Sequence, residues 1–168
     1  KPFTGKPRLT VMGVMLITAL MSMFMSNTAT TATMFAVMMP VIMGLPEGRA
    51  RTGIALSIPV AANVGGMGTP VGTPPNAIAL GALQSAGISV TFLDWMLAAV
   101  PLMLITLAIS WGFIAWRYIP KDAVFSIDTS AKFDTSRNAK IFYATALVTI
   151  LLWMTEALHG VSANIIGF

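Results

Sequence analysis

Two long stretches of this chain are apolar and free of charge, residues 9–46 and 52–93. Each is interrupted near its middle by small polar residues, glycine or proline. The first carries Ser26-Asn27-Thr28-Ala29-Thr30, and the second carries Gly72-Thr73-Pro74-Pro75-Asn76. In lipid, broken backbone survives only where protein or a water-filled cavity surrounds it. Paired broken apolar segments are therefore a sequence mark of a binding site at membrane depth.

The halves of the first run, Leu9 to Met25 and Thr30 to Leu45, are each shorter than the roughly 20 residues that cross a bilayer. They predict two short helices meeting at a turn over Ser26 to Thr30. Two arrangements share these ends: a re-entrant hairpin, or two thin spans joined by an external turn. The hairpin is the expectation taken forward. Its tip should lie near the bilayer midplane, close to Gly72 to Asn76.

The second run holds Pro59, Asn63, Gly65, Gly66, Gly68 and Pro70 before the Gly72 motif. Interior proline costs about 3 kcal/mol in a helix and glycine about 1 kcal/mol. The run therefore predicts a helix from Gly53 to Val64, a loop, and a helix from Pro74 to Gln84. Thr73 stands at the N-cap position and Pro74 or Pro75 in the first turn. A third run, Trp95 to Trp116, reads as one ordinary span with aromatic residues near its ends. A fourth, Ile141 to Leu158, reads as another.

The predicted fold class is an all-α membrane protein with a re-entrant helical hairpin, one broken transmembrane helix and two ordinary transmembrane helices. Its expected parts are a cytoplasmic lead-in (1–8), the hairpin (9–45), and the broken helix with the following span (46–118). A cytoplasmic linker (119–140) and a scaffold-like span with the start of a next element (141–168) complete the division.

Composition agrees with that pattern. Of 168 residues, 56% are apolar and only 10% are charged, against about 25% charged in a soluble domain. There is no cysteine, so no disulfide staples the fold. The net charge is +4, but its placement excludes a nucleic-acid surface. Lysines and arginines flank the apolar runs instead of forming one face. They precede the first run (Lys1, Lys6, Arg8), separate the first from the second (Arg49, Arg51), and fill the stretch from Arg117 to Lys140. Basic loops stay cytoplasmic, so the first run starts and ends inside.

At the hairpin tip one helix ends and another begins. The ending helix offers carbonyls to a cation, and the starting helix offers N–H groups to an anion. Ser22 lies one turn before Ser26 on the same face. Ser22, Ser26 and Asn27 offer neutral oxygens suited to sodium. Asn27 and Thr28 also offer donors to a carboxylate. The plain alternative is helix capping. In the second break, glycines let backbone approach a ligand closely; Gly72 can give a carbonyl and Thr73 a hydroxyl. No P-loop or complete dinucleotide fingerprint is present. No serine sits in a nucleophile turn with a partner base, which speaks against an enzyme. The 13 methionines read as packing residues, with no Cys or His cluster for a metal. His159, beside Glu156, reads as an interfacial pair in preference to a proton relay.

Ser26-Asn27-Thr28 at a hairpin tip, followed by Gly72-Thr73-Pro74-Pro75-Asn76 in a broken helix, resembles the divalent-anion/sodium symporter family. That family includes sodium-coupled dicarboxylate and citrate transporters. The likeness covers nearly all of the chain and is most specific over Met21 to Ala32 and Gly65 to Ala79. It implies two inverted repeats per protomer, each giving a sodium site and half of a carboxylate site. By this resemblance Ser22, Ser26, Asn27 and Gly72 form the first sodium site. Ser26, Asn27, Thr28 and Thr73 form the substrate half-site. The resemblance further implies a homodimer working by an elevator motion, with sodium as a transported ion and a di- or tricarboxylate as substrate.

Ser-Asn occurs only at 26 and 27. The resemblance therefore implies that the second hairpin and the early scaffold spans lie outside this chain, on a second repeat that completes the site. Two alternatives stand beside sodium symport: a sodium-independent dicarboxylate exchanger, and an inactive membrane fragment. The absence of an N-x-[ST] sequon points to a bacterial inner membrane.

Overall fold

Pro7 opens the first helix, where its fixed φ fits and its missing N–H is no loss. This is α1, Pro7–Ser22. It belongs to a computed structural model that describes residues 6–120, 123, 134–161 and 163–166. The start of the expected lead-in, most of the linker over 119–140, and the last residues of the expected next element lie outside the described residues. Among the described residues the protein is wholly helical.

After α1 the chain turns and restarts at Ser26, whose Oγ accepts from the Ala29 N–H at 3.2 Å and caps α2, Asn27–Gly44. The second helix thus starts at Asn27, not Thr30, because that cap satisfies the first turn. Next come α3, Arg49–Gly66, and α4, Pro74–Ser85, separated by a loop over residues 67–73. Gly87, at φ 79°, takes the left-handed conformation that ends α4.

The third run starts earlier than its apolar pattern predicts. Thr91 and Asp94 form a reciprocal capping box, with Asp94 N–H on Thr91 Oγ1 and Thr91 N–H on Asp94 Oδ2. The helix they open is α5, Phe92–Arg117. Ser136 caps α6, Arg137–Met154, and two short helices follow: α7, Glu156–His159, and α8, Ala163–Ile166.

Helix α3 is the centre of the bundle, packed against α1, α2 and α5. Ile54, Ile58 and Ala61 on α3 meet Val11 and Met15 of α1, Met34 and Met38 of α2, and Met103 and Leu107 of α5 in one apolar core. Gly65 lets α1 come close: a Cβ there would lie 2.3 Å from the Ala19 carbonyl oxygen. Buried methionines fill the gaps between these helices, as the sequence predicts.

Arg8, at the start of α1, and the basic ends of α3 and α5 lie at one end of this bundle. Arg8 Nε donates to the Ile119 carbonyl at 3.3 Å, and Trp111 Nε1 donates to the Arg8 carbonyl at 2.8 Å. Gly53, one turn into α3 from Arg49, packs against Tyr118. The starts of α1 and α3 therefore sit beside the end of α5. The turn at 23–26 and the loop at 67–73 sit together near its start, where Trp95 Nε1 donates to the Met67 carbonyl at 3.1 Å.

Among the described residues α5 is the one helix long and apolar enough to cross a membrane, with 26 residues and a mean hydropathy of 2.1 in its best window. Leu97, Leu102, Ile109 and Phe113 along it are exposed. The fourth run is not the unbroken helix Ile141 to Leu158. It breaks at Thr155, whose hydroxyl bonds back to the Leu151 carbonyl at 2.8 Å while Glu156 accepts from the Phe92 N–H at 2.9 Å.

Candidate functional site

The turn between α1 and α2 is held by its own polar side chains. Ser22, fully buried at the end of α1, donates from Oγ to Asn27 Oδ1 at 2.9 Å. Asn27 Nδ2 donates to Asn63 Oδ1 on α3 at 3.1 Å. Both ends of the Asn27 amide are thus engaged, its oxygen toward α1 and its nitrogen toward α3. Three polar residues form a chain across the junction of three helices.

Gly66 makes this closeness possible. A Cβ on it would stand 2.3 Å from Asn27 Oδ1. On its other side, a Cβ on Gly72 would stand 2.5 Å from the Gly66 carbonyl oxygen. Asn27 and Gly72 therefore both come close to Gly66, and Ser22 is joined to them through Asn27. Their oxygens are neutral and hard, the type of donor that suits sodium.

The break between α3 and α4 is braced from both sides. Asn76, buried in the first turn of α4, donates its amide to the carbonyls of Gly66 and Thr69, each at 2.8 Å. The buried Thr69 hydroxyl donates to the Met23 carbonyl in the α1–α2 turn. Loop and turn are thus one hydrogen-bonded unit, and carbonyls freed by the two helix ends find donors.

Two cavities flank this unit. The larger, about 710 Å³, is lined by Ser26, Gly72, Thr73, Gln84, Ser89 and Glu156, among others. The smaller, about 360 Å³, is lined by Asn27, Thr28, Thr31, Ala32 and Asn63. The four residues assigned to the substrate half-site divide between them: Ser26 and Thr73 face the larger, Asn27 and Thr28 the smaller. Thr73 holds the N-cap position of α4, yet its hydroxyl makes no capping bond: Pro75 at the second helical position has no N–H, and the Asn76 N–H at the third bonds the Thr73 carbonyl at 3.1 Å. Among the four, capping spends only the Ser26 hydroxyl.

His159 donates from Nε2 to the Leu152 carbonyl at 2.9 Å and accepts the Val161 N–H at Nδ1. Among the described residues no cluster of three His, Cys, Asp or Glu side chains could hold a metal. Sequence reasoning passed over Asn63, Gly66, Thr69 and Thr31 as site residues. Asn63 was visible as an isolated amide in an uncharged helix, but its partner lies 36 residues away. That separation is what a pattern along the chain cannot show.

A protein that is helical throughout its described residues, with broken helices converging on an uncharged polar centre, has the make-up of a membrane carrier. The citrate transporter (CitMHS) family model matches residues 1–166, and the chain belongs to that family. It is thereby an integral membrane protein of a transporter family, not an enzyme. It is 38% identical over 127 residues, 64% of this chain and 22% of the relative, to a protein of Caenorhabditis elegans named sodium-dependent high-affinity dicarboxylate transporter 3. An uncharacterized transporter of Haemophilus influenzae is 37% identical over 120 residues, 70% of this chain and 25% of the relative. The sodium-dependent dicarboxylate transporter SdcS of Staphylococcus aureus is 27% identical over 168 residues, 87% of this chain and 32% of the relative. The chain spans about a fifth to a third of the length of these relatives.

Proposed function

We propose that this chain supplies one sodium site and half of an anion site to a sodium-coupled carrier of di- or tricarboxylates. The observation that carries the reading is the Ser22–Asn27–Asn63 chain, held at the start of α2 beside an uncharged polar cavity. Sodium sits against Ser22, Ser26, Asn27 and Gly72. The substrate takes donors from Ser26 and Thr73 on the side of the larger cavity and from Asn27 and Thr28 on the side of the smaller. The relatives' names supply the ion and the substrate class.

The physics of the pair favours coupling. A carboxylate in a desolvated site needs a countercharge. The described lining of the smaller cavity carries none. A sodium ion beside the anion provides it, so neither binds well without the other.

The α1–α2 unit is a re-entrant hairpin. Its first arm, 16 residues in α1, is about 24 Å long, shorter than the roughly 30 Å hydrocarbon core. Both arms start or end beside basic residues, and the basic ends of α1, α3 and α5 gather at one end of the bundle. That end is cytoplasmic, and the membrane is a bacterial inner membrane. The units of the carrier are the hairpin over 9–45, the broken helix and span over 46–118, a linker over 119–140, and a scaffold segment over 141–168. A second repeat faces this one, and two protomers pair and move the site by an elevator motion.

The test is uptake of labelled succinate and citrate into proteoliposomes by the whole transporter that carries this sequence, with and without a sodium gradient. Sodium-driven, saturable uptake that Asn27→Ala abolishes supports the reading. Uptake indifferent to sodium favours exchange. Normal uptake by Asn27→Ala overturns the site.

A further inference from the structure

The smaller cavity beside the hairpin tip has more donors than the assigned half-site uses. Asn63 spends its Oδ1 on Asn27, which leaves both N–H groups of its Nδ2 without a hydrogen bond. The side chain is exposed and lines the cavity. Thr31, one turn beyond Asn27 on α2, lines the same cavity, and its hydroxyl is likewise uncommitted. The backbone N–H groups of Asn27 and Thr28 also have no carbonyl to meet, because the cap at Ser26 serves Ala29 and Thr30. The cavity wall therefore combines amide, hydroxyl and backbone donors, with no acidic side chain to repel an anion and no basic one to neutralise it.

We propose that Asn63 and Thr31 are anion-binding residues, Asn63 as a carboxylate donor from α3 and Thr31 as a second donor from α2. This rests on the reading of the tip as a carboxylate site and extends it across the cavity to another helix. It also gives Asn63 two tasks at once. Its oxygen fixes the Asn27 amide, and its nitrogen faces the anion. The anion is then bound between the hairpin and the broken helix, so that its arrival joins the two elements that also hold sodium. Asparagine fits these tasks because one planar group presents an acceptor and a pair of donors in fixed directions.

The experiment is succinate uptake by the whole transporter in proteoliposomes, reading the KM for succinate and the half-saturating sodium concentration separately. Asn63→Ala, Asn63→Ser and Thr31→Val are compared with wild type, each checked for a monodisperse peak in detergent. The expected result for Asn63→Ala is a rise of tenfold or more in KM. Its sodium requirement at saturating succinate should change by less than threefold. Asn63→Ser should recover part of the loss, since a hydroxyl restores one donor. Thr31→Val removes a hydroxyl at nearly constant shape and should raise KM three- to tenfold. KM values within twofold of wild type in both Asn63→Ala and Thr31→Val overturn the assignment. So does a parallel rise in KM and sodium requirement for Asn63→Ala with a silent Thr31→Val, because Asn63 would then act only through Asn27. A wild-type protein with no saturable uptake of any di- or tricarboxylate overturns the carboxylate reading of the tip, and this extension with it.

Discussion

The Asn76 amide donates to the Gly66 carbonyl at 2.8 Å, joining the first turn of α4 to the last residue of α3 across the break between them. Its second bond, to Thr69, closes the loop from the other side. Asn76→Ala leaves the buried Gly66 carbonyl without a donor and takes one of two donors from the Thr69 carbonyl, which keeps the Gly72 N–H. Leaving a buried acceptor unsatisfied costs about 1–3 kcal/mol. The variant should melt at a clearly lower temperature in detergent than wild type. Asn76→Asp, which keeps the shape but loses the donors, should be at least as unstable. An unchanged melting temperature in both would show that the loop is held by other contacts.

Gly65 and Gly66 are adjacent but should fail differently when replaced by alanine. At Gly65 the new Cβ meets the backbone of Ala19, with the carbonyl oxygen at 2.3 Å and the Cα at 2.4 Å, and a packed helix cannot yield that far. Gly65→Ala should not yield folded protein. At Gly66 the Cβ meets the tip of the Asn27 side chain, which can rotate away. Gly66→Ala should fold, but with the amide displaced and the sodium requirement raised several-fold. Expression, a detergent size-exclusion profile and sodium titration of uptake separate the two outcomes.

Trp153 ties α6 to the site. Its ring stacks on Phe92 with centroids 5.2 Å apart and lies parallel to Phe24 at 6.4 Å. Aromatic pairs of this kind contribute about 0.5–1.5 kcal/mol beyond the area they bury. Trp153→Ala should lower the melting temperature, and Trp153→Phe should retain most of it. If the two variants melt together, the stack is not what holds α6.

Much of this architecture is legible in the residues themselves. Pro74 marks a helix start because its fixed φ acts locally, whereas Ser26 reads as part of a turn and caps α2 in the fold. Gly68, Pro70 and Gly72 mark the break because glycine and proline are poor interior helix residues, whereas α3 runs on through Gly65 and Gly66, which serve close packing instead. Local logic also explains the errors. Apolar counting starts α5 at Trp95 because it excludes Asp94, yet Asp94 and Thr91 are what begin the helix. The apolar pattern of the fourth run continues through Thr155, because nothing nearby along the chain shows that Phe92 will engage Glu156. Within the site, the sequence groups Ser22, Ser26 and Asn27 as neutral oxygens, but the bond from Ser22 to Asn27, five residues apart, appears only in the fold. Asn63 is not in that group, since its role exists only once α3 is folded against α2.

The most direct test of the account is whether the tip is buried in the membrane and closes over ion and anion. The sequence contains no cysteine, so a single cysteine at Ala29, in the first turn of α2, is a clean probe. In the whole transporter, its labelling by a membrane-impermeant maleimide added from outside is compared with that of a cysteine at Ser85. Labelling at position 29 should be at least tenfold slower than at 85, and slower again when sodium and succinate are added together. Labelling as fast as at position 85, and indifferent to both solutes, would contradict a re-entrant tip and the site built on it.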